Sequence, residues 1–173
     1  MTVGLGFIPS VQFAQFYLAQ RAGYYRDAGL DVTLQNKIDP ELITLVAQGA
    51  VDIGSADGTS VIPAVSQGIP VRYVATIYAT FPSVVFAKAS SGIEAPGDLE
   101  GRTIGTPFRG GSGWIMLEAL LASADLSVED VVIREYPDFG QRVAVEQDAV
   151  DAATGFANNE PVQMERAGTP TSV

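Results

Sequence analysis

Short apolar runs alternate with stretches of helical period along almost the whole chain. Residues 3–7 read as a strand, Ile8-Pro9-Ser10 as the turn that ends it, and residues 12–22 as a helix with Phe13, Phe16, Tyr17 and Gln20 at helical spacing. Gly23 interrupts that helix, a further turn covers 24–28, and Leu30-Asp31-Val32-Thr33-Leu34 alternates as a second strand. Asp39-Pro40-Glu41 combines a cap, a proline at the first helical position and a first-turn carboxylate. A helix therefore starts there, with Leu42, Leu45 and Val46 as its buried stripe. Gly49 stops it, and residues 51–54 form a third strand. Asp57 then offers an N-cap to a helix over 58–67 that turns Val61, Ile62 and Val65 inward. Residues 71–75 are the fourth strand. The order β-α-β-α-β-α-β is that of a parallel sheet with right-handed crossovers.

The same pattern resumes after residues 81–91, read as a crossing that includes a strand over 83–88. Next come a strand over 103–106, a glycine-rich loop over 107–113, and a helix over 114–124 with Trp114, Leu117, Leu120 and Leu121 inward. A capped turn at 127–130, a strand over 131–136, a helix over 141–147, a strand over 151–155 and a helix over 158–167 precede a tail. The predicted organisation is α/β, with a first lobe at 1–82, a hinge crossing at 83–91 and a second, partial lobe at 92–173. One stretch recurs. Val145-Glu146-Gln147-Asp148-Ala149-Val150-Asp151 repeats Val46-Ala47-Gln48-Gly49-Ala50-Val51-Asp52 with five identities in seven, 99 residues later. Two copies of one helix-turn-strand unit suggest two similar lobes, with residues 55–57 and 155–160 as corresponding rims of one cleft.

Open α/β sheets bind ligands where strand ends feed helix starts, so candidate residues are sought there. Pro107-Phe108-Arg109-Gly110-Gly111-Ser112-Gly113 opens a helix, and its N–H groups can hold an anion or a polar ring edge. It lacks P-loop spacing. Phe7, Phe13, Tyr17, Tyr78, Phe81, Phe108 and Phe156 fall at or near strand ends, where rings either sandwich a flat heterocycle or pack as core. Asp57 is a cap, a ligand acceptor, or both. Asn158-Asn159-Glu160 supplies amides and a carboxylate that suit a ring imide or polyol, or else a capping box. Asp52 and Asp151 read as turn formers. The candidate ligand set is Gln12, Phe13, Asp57, Tyr78, Phe81, Phe108, Ser112, Asn158, Asn159 and Glu160, with no catalytic or metal-binding residue.

Composition narrows the chemistry. A chain of 173 residues, 47% hydrophobic and 17% charged, is globular, with enough length for one full core or two small lobes. The net charge of −10 argues against nucleic acid and anionic membrane as partners. There is no cysteine and no histidine, which removes disulfides, thiolate metal sites and the usual general base. No signal peptide or membrane-spanning run is expected.

Gly6-Phe7-Ile8-Pro9-Ser10-Val11-Gln12-Phe13-Ala14-Gln15-Phe16-Tyr17 followed by Gly23-Tyr24-Tyr25-Arg26-Asp27-Ala28-Gly29-Leu30-Asp31-Val32 resembles the opening of the NMT1/THI5-like solute-binding proteins. Val51-Asp52-Ile53-Gly54, Gly68-Ile69-Pro70-Val71, Asp98-Leu99-Glu100-Gly101-Arg102-Thr103-Ile104-Gly105 and Asn158-Asn159-Glu160-Pro161 fit the same family. The resemblance implies a periplasmic-binding-protein-like fold of two hinged α/β lobes that close on ligand. It implies a periplasmic or lipid-anchored receptor, an ABC permease as partner, no cofactor and no chemistry of its own. Residues 9–14 are similar to riboflavin receptors, and the Asn-Asn-Glu-Pro run to receptors for thiamin pyrimidine precursors. A flavin ranks first as ligand, a pyrimidine second, and nitrate or sulfonate third. Phe13, Tyr78, Phe81 and Phe108 are expected to stack the ring, and Gln12, Asp57, Ser112, Asn158 and Glu160 to fix its edges. The family also contains fungal pyrimidine synthases that consume a histidine and pyridoxal phosphate, an alternative that the missing histidine disfavours. Full members are longer, so the chain reads as truncated, with open sheet edges available for self-association.

Overall fold

The computed structural model describes residues 1–173, apart from the side chains of residues 39 and 40. The chain divides into two compact units, Met1–Ile77 and Tyr78–Val173.

The first unit holds a three-stranded parallel sheet of β1 (Thr2–Leu5), β2 (Thr33–Asn36) and β3 (Ile53–Ser55) in the order β2-β1-β3. Between β1 and β2 lie a 3-10 turn (Val11–Phe13), α1 (Ala14–Arg21) and α2 (Tyr24–Asp27); α3 (Asp39–Ala47) joins β2 to β3, and α4 (Gly58–Ser66) follows. Alternation along β1 decides which helix lies on which face. Val3 and Leu5 pack with Phe13 and Val32 against Phe16, Tyr17 and Tyr25 of the first two helices. Gly4 lies on the other face, where an added Cβ would overlap Leu42 of α3. Helix α3 starts at Asp39 with a proline in its first turn as expected, but Ile38 rather than Asp39 holds the N-cap position; the side chains of residues 39 and 40 lie outside the described ones.

Two expectations for this unit fail. Residues 71–75 form no strand, and Tyr73 and Val74 are 73% and 78% exposed, because a ladder needs a neighbour and none pairs with them among the described residues. In α4 the buried residue is Ala64, whereas Ile62 and Val65 are exposed; no described element covers that side of the helix.

The second unit holds a five-stranded sheet in the order β6-β5-β7-β4-β8. Its strands are β4 (Ser83–Lys88), β5 (Thr103–Thr106), β6 (Val132–Glu135), β7 (Ala152–Phe156) and β8 (Thr171–Ser172). β5 pairs in parallel with β6 and β7, and β4 runs antiparallel to β7 and β8. The tail thus contributes an edge strand that the sequence reading lacked. Helix α5 (Gly111–Ala122) covers one face, where Leu117 and Leu121 pack on Val85, Ala87, Ile104 and Ala152. Helices α6 (Gln141–Glu146) and α7 (Glu160–Arg166) cover the other, where Ala144, Val145 and Met164 pack on Phe86 and Ala153.

The seven-residue repeat is structural. Asp52 accepts the Thr2 N–H at 2.6 Å, and Asp151 accepts the Thr103 N–H at 2.8 Å. In return, the Asp52 N–H donates to Thr2 O and the Asp151 N–H to Thr103 O, so the two aspartates close equivalent rings on the starts of β1 and β5. Gly49 and Asp148 both take left-handed backbone, with φ of 74° and 57°. In both units the next two residues donate to one carbonyl of the preceding helix: Ala50 and Val51 to Leu45, Ala149 and Val150 to Ala144. Each unit therefore contains one βαβαβα module whose first strand lies between the other two, and the second unit adds β4 and β8 on the side of β7. β1 corresponds to β5, β2 to β6, and β3 to β7.

Candidate functional site

In each module the helix after the central strand and the helix after the third strand lie on opposite faces of the sheet. The loops leaving those two adjacent strands must part, and the crevice they leave is where open α/β sheets hold ligands.

In the first module this crevice lies between the loop after β1 and the turn Ala56-Asp57 after β3. Ser10 caps the 3-10 turn, its Oγ accepting the Gln12 N–H at 3.3 Å. Gln12 is buried at 6% exposure, and its carbonyl accepts Gln15 Nε2 at 3.1 Å. Phe13 is equally buried; its ring packs with Val3 and Leu5 and lies 6.5 Å from that of Phe16. Asp57 holds the N-cap position of α4, its carbonyl accepting the Ser60 and Val61 N–H groups at 2.9 and 3.0 Å. Two hydroxyls of this module, Tyr17 Oη and Thr59 Oγ1, are buried without a hydrogen-bond partner.

The second module carries more polar chemistry at the corresponding place. Pairing of β5 with β7 ends at Gly105 and Ala153. Beyond it Thr154 Oγ1 donates to Thr106 Oγ1 at 3.1 Å, and Thr106 Oγ1 donates to the Phe108 carbonyl at 3.2 Å. Both threonines are 1% exposed. From the other face Gln141 Nε2 reaches the Thr154 carbonyl at 3.4 Å. Ser112, buried in the first turn of α5, belongs to the same end of the sheet, and Gly111 enters that helix at φ 70°, where a side chain would be strained.

The rim is aromatic. Tyr78, Phe81 and Phe108 are 41%, 50% and 40% exposed. Asn158 Nδ2 donates to Tyr78 Oη at 3.0 Å, while Asn158 Oδ1 is buried without a partner. Glu160 is held from two sides: Oε2 accepts the Phe156 N–H at 2.8 Å and Oε1 accepts Asn159 Nδ2 at 3.1 Å. Gln163 in turn donates to Asn159 Oδ1 at 2.7 Å. The only cation of the 107–113 loop is committed: Arg109 Nε pairs with Glu135 at 3.1 Å, and its guanidinium lies 5.3 Å from the Trp114 ring centre. An aromatic rim over neutral amides and hydroxyls suits a flat, uncharged, hydrogen-bonding molecule better than an anion.

The structure thus brings Tyr78, Phe108, Ser112 and Asn158–Glu160 to one end of the second module, and Gln12 and Asp57 to the same end of the first. The sequence reading missed Thr106, Gln141 and Thr154. Lys37 and Lys88, the chain's two lysines, are paired with Glu41 at 3.0 Å and Asp148 at 2.7 Å. Lys37 directly follows β2 at the carboxyl end of the first sheet, its N–H donating to Leu5 O, whereas Lys88 ends β4.

Comparison with known proteins places these features. The NMT1/THI5-like family matches residues 10–173. The riboflavin-binding protein RibY of Chloroflexus aurantiacus is 36% identical over 176 residues, covering 100% of this chain and 50% of that protein. The 4-amino-5-hydroxymethyl-2-methylpyrimidine phosphate synthase THI11 of Saccharomyces cerevisiae is 28% identical over 180 residues, covering 99% of this chain and 52% of the enzyme. In fold, the periplasmic aliphatic sulphonate binding protein SsuA of Escherichia coli aligns at TM-score 0.71 and 20% identity, over 100% of this chain and 58% of its own. The chain spans about half the length of the relatives it matches. The expectation of a protein without chemistry of its own is overturned here, because relatives aligned along nearly the whole chain include a synthase as well as a receptor. With its periplasmic-binding-protein-like α/β fold, the chain belongs to the NMT1/THI5-like family.

Proposed function

We propose that the chain is part of the substrate-binding component of an ABC import system and that its ligand is riboflavin or a related flavin. The observation that carries this reading is the half-exposed aromatic rim, Tyr78, Phe81 and Phe108, above buried neutral amides and hydroxyls, with the one loop arginine neutralised by Glu135. A flavin offers a flat ring to the rim and imide and hydroxyl groups to the polar floor. Similarity to a riboflavin-binding protein along the whole chain supports the choice of flavin. Asn158 and Glu160 fix the polar edge in the second module, and Gln12 and Asp57 stand at the corresponding strand ends of the first, where Phe13 packs as core. The loaded form is read by a permease outside the cytoplasm.

Calorimetric titration with riboflavin and with aminopyrimidines tests the ranking. Phe108→Ala should weaken riboflavin binding by up to about tenfold, the upper end of what one aromatic contact contributes. Heat from the aminopyrimidine alone would transfer the ligand to the thiamin-precursor class. Silence from both would remove the receptor reading.

A second reading, a pyrimidine synthase, is favoured by the 28% identity to a synthase over 99% of the chain. It requires a lysine adduct with added pyridoxal phosphate, seen as an absorbance band that Lys37→Met or Lys88→Met abolishes.

A further inference from the structure

The two modules allow a comparison of equivalent positions. The repeated stretch aligns residues 46–52 with 145–151, and the same spacing of 99 puts Leu42 opposite Gln141 and Ser55 opposite Thr154. The paired aspartate rings align Thr2 with Thr103, hence Leu5 with Thr106. In the first module two of these positions are core: Leu5 and Leu42 are both 0% exposed, and Leu42 fills the space over Gly4 and Gly54. In the second module Gln141 lies over Gly105 in the same way, with its Cβ 3.2 Å from where a Gly105 Cβ would stand, and it is 2% exposed. One module fills this position with leucine and the other with a buried amide.

That amide is poorly satisfied. Its Nε2 contact to Thr154 O, at 3.4 Å, exceeds the ordinary range for such bonds, and Oε1 is buried with no partner. An orphaned buried acceptor is destabilising, and the other module shows that leucine fits this site. The amide lies at the carboxyl ends of β5 and β7, against the Thr154 carbonyl and over Gly105. We propose that Gln141 is a specificity-determining residue whose Oε1 accepts a hydrogen bond from an imide N–H or a hydroxyl of a neutral ligand entering the β5–β7 crevice. Thr106 and Thr154, satisfied by each other and by the Phe108 carbonyl, keep that end of the crevice polar. The proposal rests on the flavin reading above.

The test uses Gln141→Leu, which copies the other module, and Gln141→Met as a second isosteric variant. Each is followed by thermal unfolding without ligand and by titration with riboflavin and with lumiflavin, which keeps the imide and lacks the polyol. Expected is a melting temperature equal to or above wild type, together with riboflavin binding weakened about tenfold or more. Equal loss toward lumiflavin assigns the bond to the imide, and loss toward riboflavin alone to a ribityl hydroxyl. Lower melting temperatures for both variants would make the amide a structural bond and overturn the inference. So would wild-type affinity in both variants, which leaves the flavin reading standing. A wild type that binds neither flavin removes both.

Discussion

Gly155→Ala is the sharpest test of how the second module builds its rim. Gly155 lies on β7 opposite Val84 of β4. A Cβ added there would stand 2.8 Å from Phe86 Cε1 and 2.7 Å from Glu160 Oε2, closer than real Cβ atoms approach anything. Phe86 is fully buried and cannot retreat. Glu160 can retreat only by releasing the Phe156 N–H that its Oε2 accepts at 2.8 Å. Overpacking of this kind costs about 1–3 kcal/mol. For a chain of this size, with ~3 °C per kcal/mol, the melting temperature should fall by roughly 3–9 °C. Thermal unfolding by circular dichroism measures it. Glu160→Ala removes one of the two colliding atoms, so the double variant should lose less than the sum of the singles, by about 0.5–1 kcal/mol. A Gly155→Ala protein that melts with wild type, or a strictly additive double variant, would refute the close approach and with it the fixed position of Glu160.

Three further outcomes follow from the module comparison and from the charged turns. Gly4→Ala, whose Cβ would overlap Leu42, should be more destabilising than Gly105→Ala, whose nearest neighbour is Gln141 Cβ at 3.2 Å; urea midpoints compare them directly. Asp52→Ala and Asp151→Ala each remove a charged acceptor from a central-strand N–H, and each should cost about 1–2 kcal/mol in chemical denaturation, with the asparagine variants milder. The N–H groups of Glu94 and Ala95 on Asp98, and the N–H and hydroxyl of Ser127 on Asp130, hold both carboxyls below their ordinary value of 3.8. A carboxyl lowered in the folded state stabilises above its unfolded value and loses that contribution as the pH falls through the folded value. Melting temperature should therefore drop below about pH 4, and less steeply in Asp98→Asn and Asp130→Asn, which cannot titrate.

The alternation of elements was legible because each helix and strand buries one face, and that face sets a period in the sequence. Strand β5 matches its predicted bounds, and α6 and β7 fall within a residue of theirs at both ends. What failed depends on partners rather than period. Residues 71–75 are apolar enough to read as a strand, and Ile62 and Val65 sit where a buried stripe would be, yet Tyr73, Val74, Ile62 and Val65 lie exposed because local pattern cannot say whether another strand or helix is present to cover them. The candidate site divides in the same way. The glycine loop before α5 and the Asn-Asn-Glu run before α7 are visible as helix starts, whereas Thr106 and Thr154 are single polar residues at strand ends and Gln141 stands beside Arg142 at a helix start, where a periodic reading assigns it to the surface. Only register puts Gln141 over Gly105. The signal that carried this register was in the sequence as the seven-residue repeat, since aligning its copies sets a glutamine against a core leucine. Two copies of one module face the same packing problem at that position. A polar solution in one copy, with its oxygen unpaired, is the less stable of the two, and it occurs where the strands part and a ligand could supply the missing donor.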